Sequence, residues 1–217
     1  MTVGIDQPDR RGRSRLDREG LDLTGNPDVV VKEVTLLSHN WYVLRSTRFE
    51  YRHRDGRWTT EHRETYDRGN GAAVLLYDID ARTIVLVRQF RYPTYVNGNI
   101  DGMLLEVPAG LLDEDSPEDG ARREAAEETG VEVGSLEHVF DAYMSPGSVT
   151  EKLHFYAGPY QAGSHDGTQA GLADEGEDTE IIELPFDEAL THIGAQIIDA
   201  KTIMLLHWAA LNGPFSH

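Results

Sequence analysis

Cysteine is absent, which removes disulfides, zinc–thiolate centres and thiol nucleophiles from consideration. Long apolar runs are missing as well: no stretch approaches the roughly 18 residues that a membrane-spanning helix requires. The opening residues Met1 to Asp6 lack the basic and apolar regions of a secretory signal, so a soluble, cytoplasmic protein with no membrane partner is expected. Basic residues are also scarce, 20 against 38 acidic ones, for a formal charge of -18. That imbalance repels long polyanions and argues against a nucleic acid polymer as partner. A small phosphorylated substrate remains compatible, provided divalent cations bridge protein carboxylates and phosphates.

What is present is enough for one sizeable core: 217 residues, 39% of them apolar. Residues 1–28 carry Arg10, Arg11, Arg13, Arg15 and Arg18 with almost no apolar periodicity, and read as a flexible arm. The main domain is expected over 29–217. It opens with an antiparallel section at about 29–66, suggested by Val29–Val31, Trp41–Leu44, Arg48–Tyr51, a turn at Asp55-Gly56 and renewal at Trp58. Gly71–Tyr77 and Thr83–Phe90 predict a central hairpin. A short strand is predicted at Leu104–Pro108, further strands near His138–Phe140, Leu153–Ala157 and Thr179–Leu184, and helices at Phe186–Ile193 and Ala200–Leu211. The polar stretch Gln161 to Asp178 reads as a long loop.

The best-marked element is a helix from Pro117 to Thr129. Ser116 suits its N-cap, Pro117 its first position, Asp119 a capping-box acid, and Gly130 its stop. Glu124, Glu127 and Glu128 recur three and four residues apart, which places them on one arc of roughly 100°. Gly120 falls on the same arc and would leave open space beside them. Such an array of oxygen donors favours magnesium or manganese. Taken alone, the pattern is equally that of a solvated helix laced by pairs such as Arg123 with Glu127.

Its surroundings alter that balance. Gly110 to Val131 resembles the Nudix box, a glycine and a loop glutamate followed by Arg-Glu-apolar-x-Glu-Glu-x-Gly-apolar. Arg123-Glu124-Ala125-Ala126-Glu127-Glu128-Thr129-Gly130-Val131 matches the second half. The first half is one residue short, so Asp115 or Glu114 takes the place of the loop glutamate, which in the family supports the helix through its arginine. Further matching segments run over roughly 29–213, among them Tyr66–Gly71, Arg88–Arg91, Ala109–Asp113, Tyr143–Gly147, Val149–Glu151 and Ala200–Thr202. The resemblance is closest to the GDP-mannose pyrophosphatase branch, near the ADP-ribose pyrophosphatases.

That resemblance implies an α/β fold, a Nudix α/β/α sandwich with mixed sheets and an N-terminal antiparallel section, swapped with a second copy in a homodimer. It implies hydrolysis of a nucleotide sugar or nucleoside diphosphate derivative, GDP-mannose giving GMP and mannose 1-phosphate. ADP-ribose giving AMP and ribose 5-phosphate is the rival substrate, and a non-catalytic nucleotide-sugar sensor the rival class. Metal ligands by resemblance are the main-chain carbonyl of Ala109, Glu124, Glu127, Glu128 and a loop acid best matched by Glu177, with Glu175 close by. Catalytic roles fall to Glu124, Glu128 and Glu177, and Glu151 is another candidate base. Substrate contacts fall on Trp41, His62, Arg63, Glu64, Arg91, Glu151 and Lys201. Three of these also have bland readings: Trp41 as core, Glu151 as a solvated turn acid, Lys201 as a solvated lysine. His154 and His207, in apolar segments, read as core histidines without chemistry.

Overall fold

A computed structural model describes residues 25–164 and 179–216. Most of the expected arm and most of the expected loop, including Glu175 and Glu177, lie outside the described residues. The described residues divide into two compact units, 25–70 with 143–152, and 71–142 with 153–164 and 179–216.

The first unit contains a three-stranded antiparallel sheet in the order β1 (Val29–His39), β2 (Val43–Arg52), β3 (Trp58–Asp67). Alternation and the turn through Gly56, whose φ of 83° suits glycine, build the β2–β3 hairpin as expected. Two of the short runs behave differently. Arg48–Tyr51 belongs to the same strand as Val43, while Trp41 and Tyr42 lie in the β1–β2 connection, with Trp41 43% exposed rather than in a core. The buried groups of this unit include a charged pair, Arg45 with Asp67, brought together because Asp67 is registered opposite Val43.

The second unit is built on a mixed sheet in the order β10 (Glu180–Pro185), β5 (Thr83–Phe90), β4 (Gly71–Asp78), β9 (Lys152–Pro159), β8 (Glu137–Tyr143). Two short strands branch from this path: β6 (Met103–Glu106) pairs with β5, and β7 (Ala109–Leu111) with β4. The central hairpin is therefore only partial. β4 and β5 pair over three positions, Leu76–Asp78 against Thr83–Val85, then part so that β6 and β7 can insert. β4 also pairs in parallel with β9, and this burial on both edges and faces explains its unbroken apolar run.

Alternate residues of β4 face two layers. Ala72, Val74 and Leu76 pack with Ala121 and Ala125 of helix α2 (Pro117–Thr129). Beyond the other face, Tyr77 meets Phe215, which stacks on Phe186 at the start of α3 (Phe186–His192), next to α4 (Ala200–Leu211). This is the expected α/β/α sandwich with mixed sheets. A short helix, α1 (Tyr92–Val96), lies outside the elements that the sequence predicts; its Pro93 sits in the first turn, where a missing amide costs nothing. Among the described residues no helix is long and apolar enough to cross a membrane.

Candidate functional site in the glutamate helix

The site is assembled where β7 runs past α2. Ser116 Oγ accepts from the Asp119 amide at 3.2 Å and donates to the Asp119 carboxylate at 2.6 Å, so the acid completes the cap through the side chain. Gly130 closes the helix in the left-handed region at φ 69°, its amide bonding to the Ala126 carbonyl. With both ends fixed, one face of α2 turns Ala121 and Ala125 to the sheet, and the adjoining arc carries the carboxylates.

Those carboxylates are not a solvated face. Glu124 and Glu128 are buried, the latter 2% exposed, while Glu127 is half-buried. Glu128 Oε2 accepts from the Ala109 amide at 3.1 Å, which holds it against the backbone whose carbonyl is the expected ligand. Glu124 reaches into the hollow left by Gly110: a Cβ there would lie 2.2 Å from Glu124 Oε1. The glycine that makes room is thus Gly110. Gly120 does not leave open space, because its vacant position is filled by Leu112 Cδ2, 2.8 Å from where a Cβ would stand.

Arg123 ties this arc to the loop before it. Its Nε donates to Asp115 Oδ2 at 2.9 Å, its Nη2 to the Leu111 carbonyl at 2.7 Å, and its Nη1 to Glu124 and Glu127 at 2.7 and 3.0 Å. Of the two possible substitutes for the loop glutamate, Asp115 is the one bonded to the arginine. Burial works against the Arg123 cation, yet the bond to Asp115 and the charges of Glu124 and Glu127 outweigh it and push its pKa up. The donors gathered here, carboxylates beside the backbone of a glycine hollow, are all oxygen. The residues present therefore fit a divalent metal of the magnesium type.

A second charged centre lies at the end of β6. Glu106, 2% exposed, receives Arg91 Nη2 and Lys201 Nζ, each at 2.8 Å, on the same carboxylate oxygen. Burial alone would favour the neutral acid, but Lys201 and Arg91 prevail and hold its pKa down at about 2. Lys201 also touches Asp199 at 3.1 Å and is 9% exposed, so it is not a solvated lysine. Arg91 stands just past β5, paired on one side and partly open on the other. Arg88 is exposed on β5, 3.7 Å from Glu180 and 3.8 Å from Asp101. Glu106 falls in a strand that the sequence predicts but has no role in the pattern; the one signal is a lone acid between Leu105 and Val107.

The remaining expected residues belong to the first unit. His62, Arg63 and Glu64 are exposed on β3, where the pleat sets Arg63 on the face opposite the other two. Glu151 is buried against Arg68 at 3.2 Å, which excludes a solvated turn acid. Of the two histidines expected in the core, His207 is exposed on α4, whereas His154 is largely buried and satisfied by Asp141 at 2.8 Å.

Comparison with known proteins identifies the family. Residues 28–66 match a family model described as the GDP-mannose pyrophosphatase NudK N-terminal domain, and residues 67–206 match the NUDIX domain. A protein of Pectobacterium atrosepticum named GDP-mannose pyrophosphatase is 50% identical over 190 residues, 87% of this chain and 96% of its own. Proteins of the same name from Yersinia enterocolitica and Klebsiella pneumoniae are 52% and 47% identical, covering 82% and 86% of this chain and 93% of each relative. Glycine hollow, buried glutamates and arginine-held loop occupy the segment that the NUDIX match spans, and this chain belongs to the Nudix hydrolase family.

Proposed function

We propose that this chain hydrolyses GDP-mannose to GMP and mannose 1-phosphate with magnesium, manganese substituting. The observation that carries the reading is the pair of buried carboxylates, Glu124 and Glu128, lodged against the Ala109-Gly110 backbone. Relatives named GDP-mannose pyrophosphatase, similar over most of their length, supply the substrate. The Ala109 carbonyl, Glu124, Glu127 and Glu128 would hold the metal, with Glu177 as a further ligand. Bound there, a divalent cation neutralises phosphate charge and lowers the pKa of water.

The protein groups divide the remaining work. Gly110 leaves the hollow into which Glu124 reaches, the Ala109 amide orients Glu128, and Arg123 keeps Glu124 and Glu127 side by side. Arg91, braced by Glu106, presents a guanidinium to a phosphate oxygen, and Lys201 adds its charge beside it. Trp41, His62, Arg63, Glu64 and Glu151 contact nucleotide or sugar, and Glu151, Glu175 or Glu177 takes the proton from the attacking water. The chain works as a homodimer.

A magnesium-dependent screen of GDP-mannose, ADP-ribose and other nucleotide sugars, with products separated by chromatography, tests this reading. GMP and mannose 1-phosphate are expected from GDP-mannose. Preferred cleavage of ADP-ribose would reassign the substrate, and binding without turnover would make the chain a sensor. Glu128→Gln retains an acceptor for the Ala109 amide, so we expect it to lose most turnover while the metal-free melting temperature barely moves.

A further inference from the structure

Among the described residues, one group of three metal-ligating side chains stands apart from the glutamate arc: His138, Asp141 and His154. Their ligand atoms all lie within 4.8 Å of one another. His138 Nε2 and His154 Nδ1 each stand 2.8 Å from the same atom, Asp141 Oδ1. The three come from neighbouring strands, β8 at the sheet edge and β9 beside it.

The arrangement is not one that a regular strand provides by default. Residues three apart on a regular strand point to opposite faces, yet His138 and Asp141 meet, each also beside a residue of β9. His154 is fixed on a strand whose other edge is hydrogen-bonded to β4, and only 13% of its side chain is exposed. The His138 ring packs edge-on against Tyr156, centroids 5.3 Å apart, which limits its rotation. Two imidazole nitrogens and a carboxylate oxygen are thus held facing one small volume at a solvent-accessible edge.

We propose that His138, Asp141 and His154 form a second metal site, for a first-row transition cation of which zinc is the best fit. Zinc takes imidazole at about 2.0–2.1 Å and carboxylate oxygen at about 2.0–2.2 Å, so donors in its tetrahedral shell stand roughly 3.3 Å apart. Separations of 2.8 Å open to that value through small side-chain rotations. Each imidazole binds in its neutral form through the nitrogen that now faces Asp141, its proton residing on the other ring nitrogen. Three protein ligands leave a fourth position for water. The choice of metal separates this site from the helix: magnesium avoids imidazole, whereas zinc accepts it, so the two remain distinguishable in one protein. The occupied site would tie the edge strand to its neighbour.

Calorimetric titration of zinc into the untagged full-length protein, with millimolar magnesium present, tests the proposal. One zinc equivalent is expected that Glu128→Gln retains, that raises the melting temperature, and that His154→Ala weakens at least roughly 10-fold. His138→Ala, at a half-exposed position, provides a second variant should His154→Ala fold poorly. Cobalt in place of zinc gives strong visible d–d absorption when four-coordinate, expected for the wild type and lost in either histidine variant. Zinc binding unchanged in the histidine variants, zinc binding abolished by Glu128→Gln, or no zinc binding by the wild type would each overturn the assignment.

Discussion

Glu124 and Gly110 form one functional unit at the level of single residues. The carboxylate occupies the volume that any side chain at position 110 would need, with its three terminal atoms 2.2 to 2.4 Å from the place of a Cβ. Gly110→Ala therefore has to push Glu124 out of the hollow at Gly110 or distort β7. Misplacing a reacting constellation by about 1 Å costs on the order of 100-fold in rate. We expect kcat/KM to fall by about that factor and more magnesium to be needed for half-activation, while overpacking costs about 1–3 kcal/mol. A magnesium activation curve superimposable on wild type would show that the hollow does not position the carboxylate.

Helix α2 shows how much an element owes to its ends. Ser116, Pro117, Asp119 and Gly130 were all readable as punctuation because caps act locally, through bonds between residues three or four apart. Ser116→Ala removes the acceptor for the Asp119 amide and is expected to cost about 1 kcal/mol, measured by chemical denaturation. Its kcat/KM at saturating metal should stay near wild type, because Arg123 still pins the arc through Asp115 and Leu111. A large loss of turnover without loss of stability would mean that the cap itself reaches the chemistry. The arginine's bond to Asp115 spans eight residues and depends on the path of the intervening loop, which no periodicity reveals.

For the molecule as a whole, acidity is the expected weakness. Glu106 joins the end of β6 to Arg91 beyond β5 and to Lys201 on α4, so its charge links elements distant in sequence. Its pKa falls from an ordinary 4.5 to about 2 on folding. The resulting stability is fully present above pH 4.5 and is lost as pH drops through about 2, since the unfolded chain binds the proton first. The contribution is on the order of 3 kcal/mol. Glu106→Gln should be less stable at pH 7 by about 3 kcal/mol, and the gap from wild type should narrow between pH 4.5 and 2. Denaturant melts of both proteins across that range would measure it, and a constant gap would count against the pairing.

Local and periodic signals sufficed for the capped α2, for a strand predicted at Thr179–Leu184 and found at Glu180–Pro185, for both ends of α4, and for the carboxylate spacing that resembles a family. Packing between remote segments set which groups meet. It made Gly110 rather than Gly120 the hollow, chose Asp115 for Arg123, turned Trp41 outward, and broke the central hairpin so that β6 and β7 could enter. It also gave Glu106 its partners and drew His138 and His154 to Asp141. The physical reason is that helix and strand periods constrain residues a few positions apart, whereas close approach across a sheet depends on register, pleat and side-chain volume contributed by remote segments.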